Sequence, residues 1–92
     1  MKSFLIEVPH EDKAEECARA IKLFLQSGSH YLTHADWGCM DGEHKAWVIV
    51  EANDKDEALR MLPPVMRPTA KIVTLNKFSM EDMDEMISHH KA

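Results

Sequence analysis

Polar and apolar residues alternate from Lys2 to Val8, with Phe4, Ile6 and Val8 on one side and Ser3, Leu5 and Glu7 on the other. That is the period of a strand, and Pro9, which has no N–H to donate to a ladder, ends it. The period then changes. From Glu11 to Ser27, Ala14, Cys17, Ala18, Ile21, Phe24 and Leu25 recur at helical spacing, acids fill the first turn and Gly28 follows as a C-cap, so a long helix is predicted. Alternation returns from Ser29 to Ala52. This stretch is predicted to be one β-hairpin turning at Asp41-Gly42, a pair suited to a two-residue type I′ turn. Counting outward from the turn sets Cys39 opposite His44, Trp37 opposite Ala46, Asp36 opposite Trp47, Ala35 opposite Val48 and His34 opposite Ile49.

One hairpin face then carries Tyr31, Thr33, Ala35, Trp37 and Cys39 with His44, Ala46, Val48 and Val50. The other carries His30, Leu32, His34 and Asp36 with Lys45, Trp47, Ile49 and Glu51. The small and β-branched residues of the first face suit helix packing. The second face is too apolar for water at Leu32, Trp47 and Ile49, and too polar for a core at His34, Asp36 and Glu51. Further on, Asn53 is expected to cap a short helix from Asp54 to Leu62, which Pro63-Pro64 terminates. Ala70 to Phe78 reads as a fourth strand. Ser79 is expected to cap a last helix whose Met80, Met83, Met86 and Ile87 form a core-packing stripe, with His89, His90 and Lys91 complementing the dipole at its end.

The order β-α-β-β-α-β plus a C-terminal helix is the ferredoxin-like plan, an α+β fold in which both helices cover one face of a four-stranded antiparallel sheet. A single domain spanning 1–92 is expected, because 92 residues support one core and leave no room for a second. At 45% hydrophobic and 29% charged residues the composition is that of an ordinary soluble chain. A formal net charge of −5 without a Lys/Arg cluster disfavours nucleic acid, whose binding needs a positive surface. No apolar run approaches the roughly 20 residues that cross a bilayer, so no membrane partner and a cytoplasmic location are expected. Two cysteines, Cys17 and Cys39, give no disulfide framework and are expected to be reduced thiols.

An uncovered sheet face can be closed by a second copy of the chain or by a partner such as RNA. Lys45-Ala46-Trp47-Val48-Ile49-Val50 lacks the additional aromatics that would stack bases. Pro9-His10-Glu11-Asp12 stands where a heavy-metal chaperone carries Cys-x-x-Cys. The hairpin, with Glu57-Ala58-Leu59-Arg60-Met61-Leu62-Pro63-Pro64-Val65-Met66 leading into Ala70-Lys71-Ile72-Val73-Thr74-Leu75, resembles the dimeric α+β barrel superfamily, and within it small muconolactone-isomerase-like proteins. The resemblance implies a homodimer whose two sheets close a barrel with ligand cavities on the sheet faces. It carries over no catalytic residue, and fold alone does not give function.

Several residues have chemistry to offer. His30 and His34 have the spacing of a metal pair on a helix, but on a strand four residues span roughly 13 Å, too far for one ion. His34 and Asp36 are neighbours on one face and can share a proton or a metal, with Glu7 or Glu51 as a further ligand. Cys39 and His44 face each other near the turn, where structural packing competes with a nucleophile pair or a partial metal site. Trp47 can stack on a flat ligand or anchor a sheet-sheet interface. The leading expectation is a cytoplasmic homodimer binding a small organic molecule above Trp47, His34 and Asp36, lined also by Leu32, Ile49, Glu51 and Glu7. If it is an enzyme, it transfers a proton on an unsaturated or carbonyl compound, with His34 as acid/base and Asp36 orienting it. No cofactor is implied. The alternatives are a protein that binds a divalent transition metal through His34, Asp36 or the Cys39-His44 pair, and a structural or regulatory dimer without a ligand.

Overall fold

The computed structural model describes residues 1–90, with the backbone alone for His90. The expected charge complement at the end of the last helix rests in part on His90 and Lys91 and to that extent lies outside the described residues. In chain order the elements are β1 (Lys2–Pro9), α1 (Ala14–Gln26), β2 (Asp36–Trp37), β3 (Lys45–Ala52), α2 (Lys55–Arg60), β4 (Lys71–Leu75) and α3 (Met83–His90). Short 3-10 segments stand at Leu32–His34, Cys39–Asp41, Pro64–Thr69 and Met80–Asp82. The strands form one open antiparallel sheet in the order β2-β3-β1-β4, so the fold is mixed α and β.

The alternation expected along β1 and β3 is the one observed. Phe4, Ile6 and Val8 pair across to Val50, Val48 and Ala46, and all six are buried. Ala20 and Phe24 of α1 and Ala58 of α2 join them in one core with Leu32, Leu62 and Met66. Phe4, Phe24, Ile6, Leu32 and Leu62 are the bulkiest fully buried side chains, each stabilising by about 1.5–3 kcal/mol relative to exposure. Leu5, Glu7 and Trp47 occupy the opposite face, half-buried, beside exposed Ile49 and Glu51.

The long hairpin is corrected. Only Asp36 and Trp37 pair with β3, opposite Trp47 and Ala46, which is the register counted from the sequence. The connection is a four-residue loop: the Gly38 N–H donates to the Lys45 carbonyl at 3.1 Å and the Glu43 N–H donates to the Gly38 carbonyl at 3.0 Å. Cys39–Asp41 form a 3-10 turn and only Gly42, at φ 82°, takes the left-handed conformation. The four loop residues Cys39 to Gly42 are centred one residue before the expected pair, and two extra residues on the β3 side, Glu43 and His44, restore the register counted about Asp41-Gly42. Upstream, Ser29 takes over the backbone donors. Its Oγ accepts from the Leu32 N–H at 3.3 Å, and its carbonyl accepts from the Thr33 N–H at 3.0 Å and the Thr33 hydroxyl at 2.9 Å. Such local bonds compete with a ladder, and the segment becomes a helical turn that carries Leu32 into the core.

Smaller corrections concern the helices. In α1, Ala20 and Phe24 are buried and Cys17, Ile21 and Leu23 half-buried, whereas Ala14, Ala18 and Leu25 face solvent. The buried stripe is therefore rotated from the expected one. Asp54 rather than Asn53 caps α2, its Oδ1 accepting from the Glu57 N–H at 2.8 Å. β4 stops at Leu75, leaving Phe78 exposed. Ser79 and Asp82 form the expected cap before α3. The stripe contributes no fully buried residue: Met80 is 85% and Ile87 50% exposed, and Met83 and Met86 are half-buried.

Candidate functional site

Two places gather chemistry, one on each side of the sheet. On the open face, Trp47 lies directly opposite Glu7 across the β1–β3 ladder. Its Nε1–H donates to Glu7 Oε1 at 3.1 Å, and Lys45 Nζ stands 3.7 Å from Glu7 Oε2. Leu5, His30, His34, Asp36, Trp47 and Ile49 border a shallow depression of about 330 Å³ beside this pair. Glu7 reaches it only through Trp47, and Glu51 sits further along the face, paired with Ser3. Leu32, expected on this face, is in the core instead.

The helical turn also revises the two histidines. His30 and His34 are not spread along a strand; their ring centroids are 4.6 Å apart. His34 Nδ1 lies 2.8 Å from the His30 carbonyl oxygen. A carbonyl only accepts, so Nδ1 carries the proton and Nε2 keeps its lone pair in the neutral ring. His34 and Asp36 are both exposed.

The second place is the end of the sheet nearest α1. β1 and β3 continue one step beyond their ladder, the His10 N–H donating to the His44 carbonyl at 3.0 Å. By the two-residue alternation, His10 and His44 share the face of Val8 and Ala46, the helix side. The ring centroids stand 5.7 Å apart, edge to face, with Trp37 6.0 Å from His10. Cys39, in the loop between β2 and β3, brings its Sγ 3.2 Å from His10 Nε2. One donor atom each from His10, Cys39 and His44 lie within 4.8 Å of one another. Cys17 of α1 lies outside that set of three but is joined to Cys39 in a disulfide, which corrects the expectation of two reduced thiols.

The nitrogens here are unusually placed. His44 Nε2 is 2.8 Å from Asp12 Oδ1, the geometry in which the ring donates its Nε2–H to a carboxylate; in the neutral ring Nδ1 is then a bare lone pair. The Nδ1 atoms of His10 and His44 are both buried without a hydrogen-bond partner. A buried unpaired polar atom costs about 1–3 kcal/mol, so two in one cluster call for an explanation. His10 is held below the ordinary imidazole pKa by burial first and then by the charge of His44, with Glu16 opposing.

The sequence pairs Cys39 with His44 but offers no route to His10 or Cys17. The register that sets His10 beside His44 joins strands separated by α1 and the β2–β3 loop, and nothing local encodes it. The available signal was positional: one histidine directly follows β1 and the other directly precedes β3. No family model, no curated protein and no solved structure matches this chain.

Proposed function

We propose that the protein binds a divalent transition-metal ion at the end of its sheet, through His10, Cys39 and His44 with Cys39 as a thiolate. The observation that supports this is the convergence of the three donors, with Cys39 Sγ beside His10 Nε2 and with His44 Nδ1 buried and without a partner. In a tetrahedral zinc site with bonds of about 2.0–2.3 Å, neighbouring donors stand roughly 3.3–3.8 Å apart. A set lying within 4.8 Å therefore closes onto an ion by about an ångström of side-chain rotation. Asp12 supplies the outer carboxylate that orients a metal-bound histidine and makes it more basic. A mixed imidazole and thiolate set selects zinc-class ions over magnesium or calcium, which prefer oxygen.

The test is metal stoichiometry. Reduced protein that has never touched a metal column is expected to take up about one zinc per chain in equilibrium dialysis, and cobalt in its place should give thiolate-to-metal absorption. His44→Ala should abolish both. Reduced wild-type protein that takes up neither ion refutes the reading.

The open-face depression favours a second reading: a homodimer of the ferredoxin-like, dimeric α+β barrel type that holds a small planar organic molecule over Trp47. Trp47, His34, Asp36 and Ile49 border one depression, and Ile49 is 60% exposed on an uncovered face. His34, whose Nε2 lone pair is free to accept a proton, is the acid/base in a cytoplasmic isomerase-like proton transfer, with Asp36 beside it. Light scattering giving a monomer mass near 10.6 kDa at micromolar concentration would refute the dimer. Screening small unsaturated acids, lactones and phenols by Trp47 fluorescence tests the ligand, with His34→Ala expected to remove the response.

A further inference from the structure

Resting on the metal-binding reading, we infer that Cys17 is the fourth ligand of this centre and that the Cys17–Cys39 disulfide is its oxidised, metal-free state. The disulfide puts the Cys17 sulfur against that of Cys39, already beside His10 and His44. Reduced, the four side chains supply two thiolates and two imidazoles, the Cys2His2 donor combination of structural zinc sites, with Cys17 turning in from its place against Cys39. The Cα atoms of the two cysteines stand 7.0 Å apart, the long end of what a disulfide spans and comfortable for two thiolates sharing one ion.

Three features separate this arrangement from a disulfide that only fastens the fold. His10 Nε2, 3.2 Å from Cys39 Sγ, sets a ligand nitrogen against the sulfur in place of the apolar packing that surrounds a purely structural cystine. Both cysteines are half-buried, not sealed in the core, so a small oxidant can reach sulfur. In the disulfide state neither cysteine sulfur is a thiolate ligand, and His44, whose Nε2 is taken by Asp12, is left with a buried, unpaired Nδ1. That nitrogen gains a partner only in the reduced, loaded state, in which His10 ligates through Nε2, the atom beside Cys39 Sγ.

The switching step balances with a hydroperoxide as oxidant. One thiolate attacks the peroxide oxygen, the O–O bond breaks and an alcohol leaves with one proton, giving a sulfenic acid. The second thiolate displaces the sulfenic hydroxyl, which leaves as water with a second proton as the S–S bond forms. In sum, two zinc-bound thiolates, one hydroperoxide and two protons give the disulfide, free zinc, one alcohol and one water. The sulfurs lose two electrons and the peroxide gains two.

The experiment loads reduced protein with zinc and adds tert-butyl hydroperoxide stepwise. Released zinc is read with a colorimetric chelator and remaining thiols are counted in parallel. For wild type, one zinc should leave as two thiols disappear, and a thiol reductant should restore uptake. Cys17→Ser should weaken zinc binding by at least the roughly 10- to 100-fold that loss of even an outer partner costs, and should form no intramolecular disulfide. His44→Ala, which keeps both cysteines, should lose zinc yet still close the disulfide. Cys17→Ser holding zinc as tightly as wild type overturns the inference while leaving three-donor binding standing. Wild type keeping its zinc after both thiols are oxidised overturns the inference together with the thiolate role of Cys39. Reduced wild type that takes up no zinc at all removes the metal-binding reading and this inference together.

Discussion

Replacing Gly38 with alanine tests how Trp47 is seated. Gly38 has φ −99° and ψ 5°, a conformation open to alanine, so backbone strain is not the issue. The obstacle is space. A Cβ built there would stand 2.7 Å from both the Glu43 carbonyl oxygen and Trp47 Cζ3, and 2.9 Å from Glu43 Cβ. Neither neighbour yields freely. The Glu43 backbone closes the loop through its hydrogen bond to the Gly38 carbonyl, and the indole is tethered by Nε1 to Glu7. Inserting one methyl group into such a contact costs about 1–3 kcal/mol, and two rigid opposing sides place this case at about 2 kcal/mol. For a domain of this size that lowers Tm by roughly 8–16 °C. Thermal and urea unfolding followed by circular dichroism measure it. Trp47→Phe, with a smaller ring and no N–H, should relieve the clash, so the double-mutant cycle is expected to return a coupling of about 0.5 kcal/mol or more. A Gly38→Ala midpoint within about 2 °C of wild type, less than half the shift of a 1 kcal/mol change, would mean that the indole does not rest on Gly38.

At the other loop glycine, Gly42→Val has nothing within 4 Å to strike but must hold φ 82°, so a loss of about 1–2 kcal/mol in urea unfolding is expected from the left-handed backbone alone. In metal-free protein, reducing the disulfide frees a ring of sequence separation 22; loop entropy puts the cost at about 3 kcal/mol, read as a lower urea midpoint with reductant and chelator present. The depressed pKa of His10 predicts a pH slope in the disulfide form. Below 6.5 the unfolded chain takes a proton that folded His10 resists, so this residue's contribution makes the fold less stable as pH falls from there, and vanishes above it. Subtracting the pH profile of His10→Asn from that of wild type isolates the contribution, and a flat difference refutes it.

What the sequence made legible was local. β1 and β3 carry clean two-residue alternation, and it assigned their buried and open faces correctly. The Asp36–Trp47 and Trp37–Ala46 pairs followed from counting about the loop, even though that loop is four residues long. Ser29 to His34 misled because His-Tyr-Leu-Thr-His alternates as a strand would, while the Ser29 hydroxyl and carbonyl and the Thr33 hydroxyl satisfy a helical turn more cheaply than a distant ladder could. That one substitution of local bonds for long-range ones moved Leu32 into the core and drew His30 and His34 together. In α1 the helix was evident but its orientation was not, because alanines and leucines lie all around it. The His10, Cys17, Cys39 and His44 cluster required three long-range choices: the β1–β3 register, the rotation of α1 and the course of the loop after β2. None of these is written in a spacing.

Every member of that cluster, with Asp12, falls between residues 10 and 44, and the scaffold that holds it uses β1, α1 and β3 but neither α2 nor β4. On the ribosome, Cys17 and Cys39 are both synthesised before His44 and before any of β3. At roughly 5–20 residues per second, Ala52 follows Cys39 by on the order of one second. A covalent ring between the two sulfurs needs no residue of β3, whereas the proposed shared ion cannot be held by its full set of ligands until His44 has been added.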